Sequence, residues 1–237
     1  MLAYKIHLIR HGEAQGADEG QYIGSTDVSL TNYGRKQIKD TIRECEYPDV
    51  DIVISSPMNR CLETSKIIYP DKTPFILDGL TEYNFGEFEG KTAEELKDDP
   101  DFKDWLMGGE DAGAPFGETN GEFRERVCKC FKSTVDGILK TDNRSVAIIT
   151  HGGVIMTIMQ YFALPEAPMH EWIMDNGYGY TLNVDRKMWD NFMKLEAFSK
   201  VPVKYYENDP VEDDYDWDSE FDPSEFKGFY TPQEGSK

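Results

Sequence analysis

The chain predicts an α/β fold. Two observations carry this: strand-like apolar runs alternate with helical patterns along most of the sequence, and two of those runs end in a histidine followed by glycine, at Arg10-His11-Gly12 and Thr150-His151-Gly152. Open α/β sheets gather their chemistry at the carboxyl ends of the strands, so His-Gly pairs placed there mark a candidate site.

Leu2 to Ile9 is short, apolar and partly β-branched, and reads as a buried strand stopping at the glycine turn of Arg10-His11-Gly12-Glu13. Alone, that motif fits a turn histidine as well as a site. The polar, Gly-rich loop from Gly12 to Ser29 is longer than a usual strand-to-helix connection, and loops of that length tend to be functional. Thr31 then serves as N-cap of a helix with Ile38, Ile42 and Cys45 at helical spacing.

Asp51 to Ile54 is the second strand, closed by Ser55-Ser56-Pro57, with Pro57 opening the next helix. Arg60 falls in the first turn of that helix and therefore on the same sheet edge as His11. The plain reading is a solvated surface arginine. A cation at a helix amino end opposes the dipole, however, which leads us to expect an anion nearby.

Thr73 to Leu77 makes a third strand, and Leu80 to Gly90 mixes acids, aromatics and two glycines in neither period. An acid on such an aromatic-walled loop acquires a raised pKa by partial desolvation, and Glu82 is the candidate; Glu87 and Glu89 read as surface charge. Thr92 to Gly117 reads as a flap inserted over the site between glycine hinges. A long helix from Thr119 to Leu139 aligns Phe123, Val127, Phe131, Val135 and Ile138 on one face.

Arg144 to Thr150 repeats the opening pattern, and a helix running on through Val154 follows His151-Gly152-Gly153, its free N–H groups making an anion cradle. His151 alone also fits a buried core histidine; the repetition favours a site. Gly179 to Val184 and Phe192 to Ala197 form an antiparallel hairpin turning through Asn183 to Asn191.

A net charge of −20 argues against nucleic acid and against an anionic membrane as partners. No run is long and apolar enough for a membrane helix, and the amino terminus lacks a signal-peptide pattern. Cys45, Cys61, Cys128 and Cys130 contain no C-x-x-C pair and read as reduced thiols without a metal pattern, so a cytoplasmic protein is expected. From residue 204 to 237 eleven acids stand against three lysines, with eight aromatics interleaved. A docked or subunit-contacting arm and a flexible tail both fit that extension, which leaves homo-oligomer formation open.

Arg10-His11-Gly12-Glu13, Gly24-Ser25-Thr26-Asp27 leading to Leu30-Thr31-x-x-Gly34, Ser55-Ser56-Pro57-x-x-Arg60, Glu82-x-x-Phe85-Gly86-x-Phe88-Glu89-Gly90 and Thr150-His151-Gly152-Gly153 occur in order, and together resemble the histidine phosphatase superfamily. The resemblance covers residues 4 to about 198. It implies a three-layer α/β/α sandwich with a mostly parallel central sheet and a helical cap insertion at about residues 83–120, in a domain spanning 1–203.

The chemistry it implies is a phosphomonoester hydrolase that needs no cofactor and no metal, acting on a small phosphorylated metabolite. His11 would be the nucleophile, Glu82 the general acid, Arg10 and Arg60 the donors to the phosphoryl oxygens, and His151, if protonated, a further donor. Gln15, Ile23, Gly24 and Gly152 join Arg10 and Arg60 as substrate-binding positions. Where the family often carries an asparagine six positions after the nucleophile, this chain has Ala17, and Gln15 is the nearby amide. The stretch Phe116-Gly117-Glu118-Thr119 through Arg126 is similar to the alpha-ribazole and broad-specificity phosphatase branch, and Tyr83, Phe85, Trp105 and Phe116 are available to wall an aromatic-friendly pocket. A phosphoglycerate mutase and a non-catalytic phospho-ligand or protein-binding module are the alternative readings.

Overall fold

In a computed structural model describing residues 4–205, without the Asp18 side chain, β1 (Tyr4–Arg10) buries its four central residues, as a strand covered on both faces must. The expected start of that strand at Leu2 and residues 206–237 of the acidic extension lie outside the described residues. Following β1 come α1 (Asn32–Glu44), β2 (Cys45–Glu46), β3 (Ile52–Ser55), α2 (Asn59–Ile68) and β4 (Phe75–Ile76). The second half adds α3 (Ala93–Leu96), α4 (Pro100–Met107), α5 (Asn120–Ile138), β5 (Ser145–Thr150), α6 (Gly152–Phe162), β6 (Ala163–Leu164), β7 (Gly179–Val184), α7 (Arg186–Phe192), β8 (Leu195–Val201) and β9 (Val203–Lys204).

Seven strands form one sheet in the order β4-β3-β5-β1-β7-β8-β6, while β2 and β9 pair separately. The pairs β1–β5, β3–β5, β3–β4 and β6–β8 are parallel; β7 alone runs against both its neighbours. The sheet is therefore mostly parallel. Alternation along the strands divides the core in two. Ile6, Leu8, Val146 and Ile148 pack with α5 and α6, whereas Ile9, Ala147 and Ile149 pack with Cys61 of α2, beside which α1 lies. Helices thus cover both faces, giving the expected three layers.

Local chemistry explains most boundaries. Thr31 caps α1 by accepting from Gly34 N–H, and α5 starts at a reciprocal capping box between Thr119 and Glu122. Three expectations need correction. The second helix begins at Asn59 with Met58 as N-cap, so Pro57 stands outside it. The third strand shrinks to Phe75–Ile76, exposed at the sheet edge, where it has one strand partner. The hairpin turn holds a helix, α7, capped by the Asp185 carboxylate accepting from Met188 N–H, and β8 runs on to Val201.

Candidate active site

The parallel register sets Arg10 against Thr150 and Ser55 against Ile149. It continues one bond past each strand end, His11 N–H donating to Thr150 O (2.9 Å) and Ser56 N–H to Ile149 O (3.0 Å). His11, Ser56 and His151 therefore leave three neighbouring strands at one edge, and the two imidazoles meet edge to face with centroids 5.1 Å apart.

His11 is buried, with Nδ1 2.6 Å from the Gly12 carbonyl oxygen. A carbonyl can only accept, so Nδ1 carries the proton and Nε2 keeps its lone pair. Burial, then the charges of Arg60 and Arg10, hold the imidazole well below its ordinary 6.5, so the ring is neutral near pH 7. The residue is held from behind by Asn176, whose Nδ2 donates to His11 O (2.9 Å), while Gly12 N–H donates to Thr64 Oγ1 (3.0 Å).

His151 is fully buried and takes a different tautomer. Arg60 Nε donates to its Nδ1 (3.2 Å), leaving Nε2–H to donate to Ser56 Oγ (2.8 Å). Burial first, then His11, Arg60 and Arg10, depress its pKa well below 6.5. The condition on which His151 would add a charged donor is disfavoured in this geometry, first by burial and then by the neighbouring His11, Arg60 and Arg10.

Those arginines are placed by backbone. Arg60, only 1% exposed, donates from Nη1 to Thr26 O (2.9 Å) and from Nη2 to Gly24 O (2.5 Å), so it is no surface residue. The anion expected at the α2 amino end is Asp27, accepting from Asn59 N–H (2.7 Å) and Asn59 Nδ2 (2.8 Å). Arg10 donates from Nη1 to Met174 O (2.8 Å), while its Nε is buried without a hydrogen-bond partner. A Cβ at Gly152 would stand 3.5 Å from that nitrogen, which places it against the first turn of α6. A buried cationic donor without a partner is chemically suited to an anion.

Glu82 reaches the same turn. Its Oε2 accepts from Gly153 N–H (2.9 Å) and its Oε1 from Tyr83 N–H (3.0 Å), so the α6 cradle already holds a carboxylate. A Cβ on Gly153 would lie 2.5 Å from Glu82 Oε1; only glycine admits the approach. Burial raises the carboxyl pKa, opposed by these two bonds and by Arg60 and Arg10.

Of the remaining expected positions, Gly24 is buried and supplies the carbonyl that holds Arg60, and Gly152 adjoins Arg10. Ile23 is half-buried beside Gly16; Gln15 and Ala17 are exposed on the loop. Sequence reasoning missed Glu89. Far from plain surface charge, its carboxylate accepts from the N–H groups of Gly24 (3.1 Å), Ser25 (2.8 Å), Thr26 (3.2 Å) and Phe85 (3.1 Å) and from Ser25 Oγ (3.2 Å). Asn176 and Thr64 also went unread as site residues, since neither shares a motif spacing with the histidines, and Ser56 was read only as part of the Ser55-Ser56-Pro57 motif.

The aromatic wall is packing rather than pocket: Tyr83, Phe85 and Trp105 are 2%, 3% and 1% exposed in one cluster with Tyr22, Phe88, Phe102 and Phe123. Leu96, Phe102 and Trp105 anchor residues 93–107 in that core. Only Phe116 of the four is exposed, at 88%, with a left-handed φ of 59°.

No group of three or more His, Cys, Asp or Glu residues that could hold a metal ion occurs among the described residues, and no described helix is long and apolar enough to cross a membrane.

Residues 6–192 match the family model of the histidine phosphatase superfamily, branch 1. Among curated proteins, the acid phosphatase of Mycobacterium tuberculosis is 30% identical over 63% of this chain and 70% of its own length. The adenosylcobalamin/alpha-ribazole phosphatase of Salmonella typhimurium is 26% identical over 73% of this chain and 87% of its own. In architecture, the alpha-ribazole phosphatase from Shigella flexneri superposes with a TM-score of 0.70 at 22% identity, covering 88% of this chain and 99% of that one.

Proposed function

The chain belongs to the histidine phosphatase superfamily and is a phosphatase, and from that premise we propose that it hydrolyses small phosphomonoesters through a phosphohistidine on His11. The observation that carries this reading is the Nδ1 bond to Gly12 O, which leaves Nε2 of a neutral ring as a lone-pair nucleophile. Beside it stand Arg10, with an unpaired Nε, and Arg60, both suited to nonbridging phosphoryl oxygens.

In the first step His11 Nε2 forms a bond to phosphorus as the bond to the leaving oxygen breaks, and protonated Glu82 gives that oxygen its proton. In the second, the Glu82 carboxylate takes a proton from water, whose oxygen attacks phosphorus; the P–N bond breaks, inorganic phosphate departs and His11 is neutral again. The raised Glu82 pKa suits the acid role, and the anchoring bonds from Gly153 and Tyr83 suit the base role. Alpha-ribazole 5′-phosphate is a reasonable substrate because relatives carry that name, and the four free cysteines suit a reducing, cytoplasmic setting.

Brief reaction with a labelled aryl phosphate, followed by quenching, should leave an acid-labile, base-stable phosphoryl group on His11 that is missing in His11→Ala. A label on another residue overturns the mechanism. A panel of alpha-ribazole 5′-phosphate, sugar phosphates, nucleotides and phosphoglycerates then identifies the substrate. Interconversion of phosphoglycerates without release of phosphate would establish the mutase instead, and no turnover of any ester a binding module.

A further inference from the structure

We propose that Arg126 and Glu118 are positioning residues for the general acid: together they fix the backbone on both sides of Glu82, and with it the reach of that carboxyl to the leaving oxygen. This rests on the reading of Glu82 given above.

The segment carrying Glu82 is irregular, and no strand or helix holds it; the short 3-10 turn Asp78–Leu80 ends just before it. Its carbonyls converge instead on one guanidinium. Arg126 Nη1 donates to Gly79 O (3.2 Å), Thr81 O (2.9 Å) and Thr81 Oγ1 (3.2 Å), and Nη2 donates to Glu82 O (3.3 Å). The remaining donors form a two-pronged pair with Glu118, Nε to Oε1 and Nη2 to Oε2, each 2.7 Å.

Glu118 grips the other side. Its Oε2 accepts from Asn84 N–H (3.1 Å), its carbonyl accepts from Tyr83 Oη (2.6 Å), and its own N–H donates to Asn84 O (2.9 Å). Arg126 is rooted in α5 between the buried Phe123 and Val127, and its guanidinium lies 5.2 Å over the Phe123 ring. A rigid helix thereby sets the position of an acid on a loop. A lysine at 126 would keep the charge but not the fork, and a glutamine at 118 would keep the shape while losing the charge and one acceptor.

The test reads kcat/KM, which is sensitive to formation of the P–N bond, on an alkyl phosphate that needs a proton on its leaving oxygen and on 4-nitrophenyl phosphate, which needs it less. Glu82→Gln should lower the alkyl value about 100-fold and the aryl value far less. Arg126→Lys and Glu118→Gln should each reproduce that selectivity at about 10-fold, and add nothing further in the Glu82→Gln background. Equal losses on both esters, or losses that multiply with Glu82→Gln, overturn the positioning role while leaving Glu82 as the acid. If Glu82→Gln itself shows no selectivity between the esters, the acid assignment fails, and the inference with it. Glu118→Gln is isosteric and supplies the same reading should Arg126→Lys fold poorly.

Discussion

Arg60 Nε donates to His151 Nδ1 across 3.2 Å inside a volume where both side chains are almost wholly buried, so cation and imidazole act as one unit. Arg60→Lys removes the fork that serves Gly24 O, Thr26 O and His151 together. Its kcat/KM should fall by about 100- to 1,000-fold, the usual loss for one preorganised donor at a developing negative charge. Steady-state kinetics on an aryl phosphate checks this; an undiminished value would contradict it.

The pH profile should be displaced to the acid side. Burial and two arginines hold His11 well below 6.5, so the proposed nucleophile should stay neutral and active as pH falls through the ordinary histidine range. Glu82, raised by burial, must be protonated to act as acid, so activity should decline as pH rises through its elevated pKa. A kcat/KM profile with its acid limb at or above 6.5 would argue against His11 as the nucleophile.

Gly153→Ala separates activity from stability. Alanine is the better helix former inside α6, yet its Cβ would lie 2.5 Å from Glu82 Oε1 and displace the carboxylate. The variant should keep its Tm to within a few degrees while losing at least about 10-fold in kcat/KM on alkyl phosphates. Calorimetry beside kinetics reads both, and full activity would show that Glu82 does not need this turn.

Part of the acid lability should trace to a histidine outside the site, beside the share that the buried His11 and His151 contribute in the same direction. His7 is 3% exposed in β1, between Thr181 Oγ1 (2.9 Å) and Ser145 Oγ (3.2 Å), and burial, with a smaller contribution from Lys5, lowers its pKa to about 4. The unfolded chain binds this proton near pH 6.5 and the folded one only near 4. Its contribution is therefore complete above 6.5 and lost as pH falls through that window, to a total of about 3 kcal/mol. Denaturant titrations of His7→Gln should show a shallower loss of stability between those limits than wild type; parallel curves would refute the assignment.

What the sequence disclosed follows the range of the physics. Strands ending in His11 and His151, the helix carrying Arg60 and the capped helix from Thr119 rest on periodicity and local capping, which short windows contain. Glu82 stood out because it lies on an irregular aromatic loop. Glu89 looked the same as Glu87 in sequence, because its importance comes from N–H groups more than sixty residues earlier. The neutral tautomer of His151 depends on Arg60 and Ser56, about ninety residues away, and the burial of Tyr83, Phe85 and Trp105 on how α4 packs. No local pattern carries such partners.

The attachment of residues 24–26 to Glu89 bears on how this protein can be recombined. Arg60 rests on carbonyls of Gly24 and Thr26, and the amides of that segment rest on a carboxylate from the loop that also bears Glu82. The arginine and the acid are consequently a single heritable module despite their separation along the chain. A chimera that imports the acid loop of a relative will misplace Arg60 unless residues 24–26 and 89 travel with it.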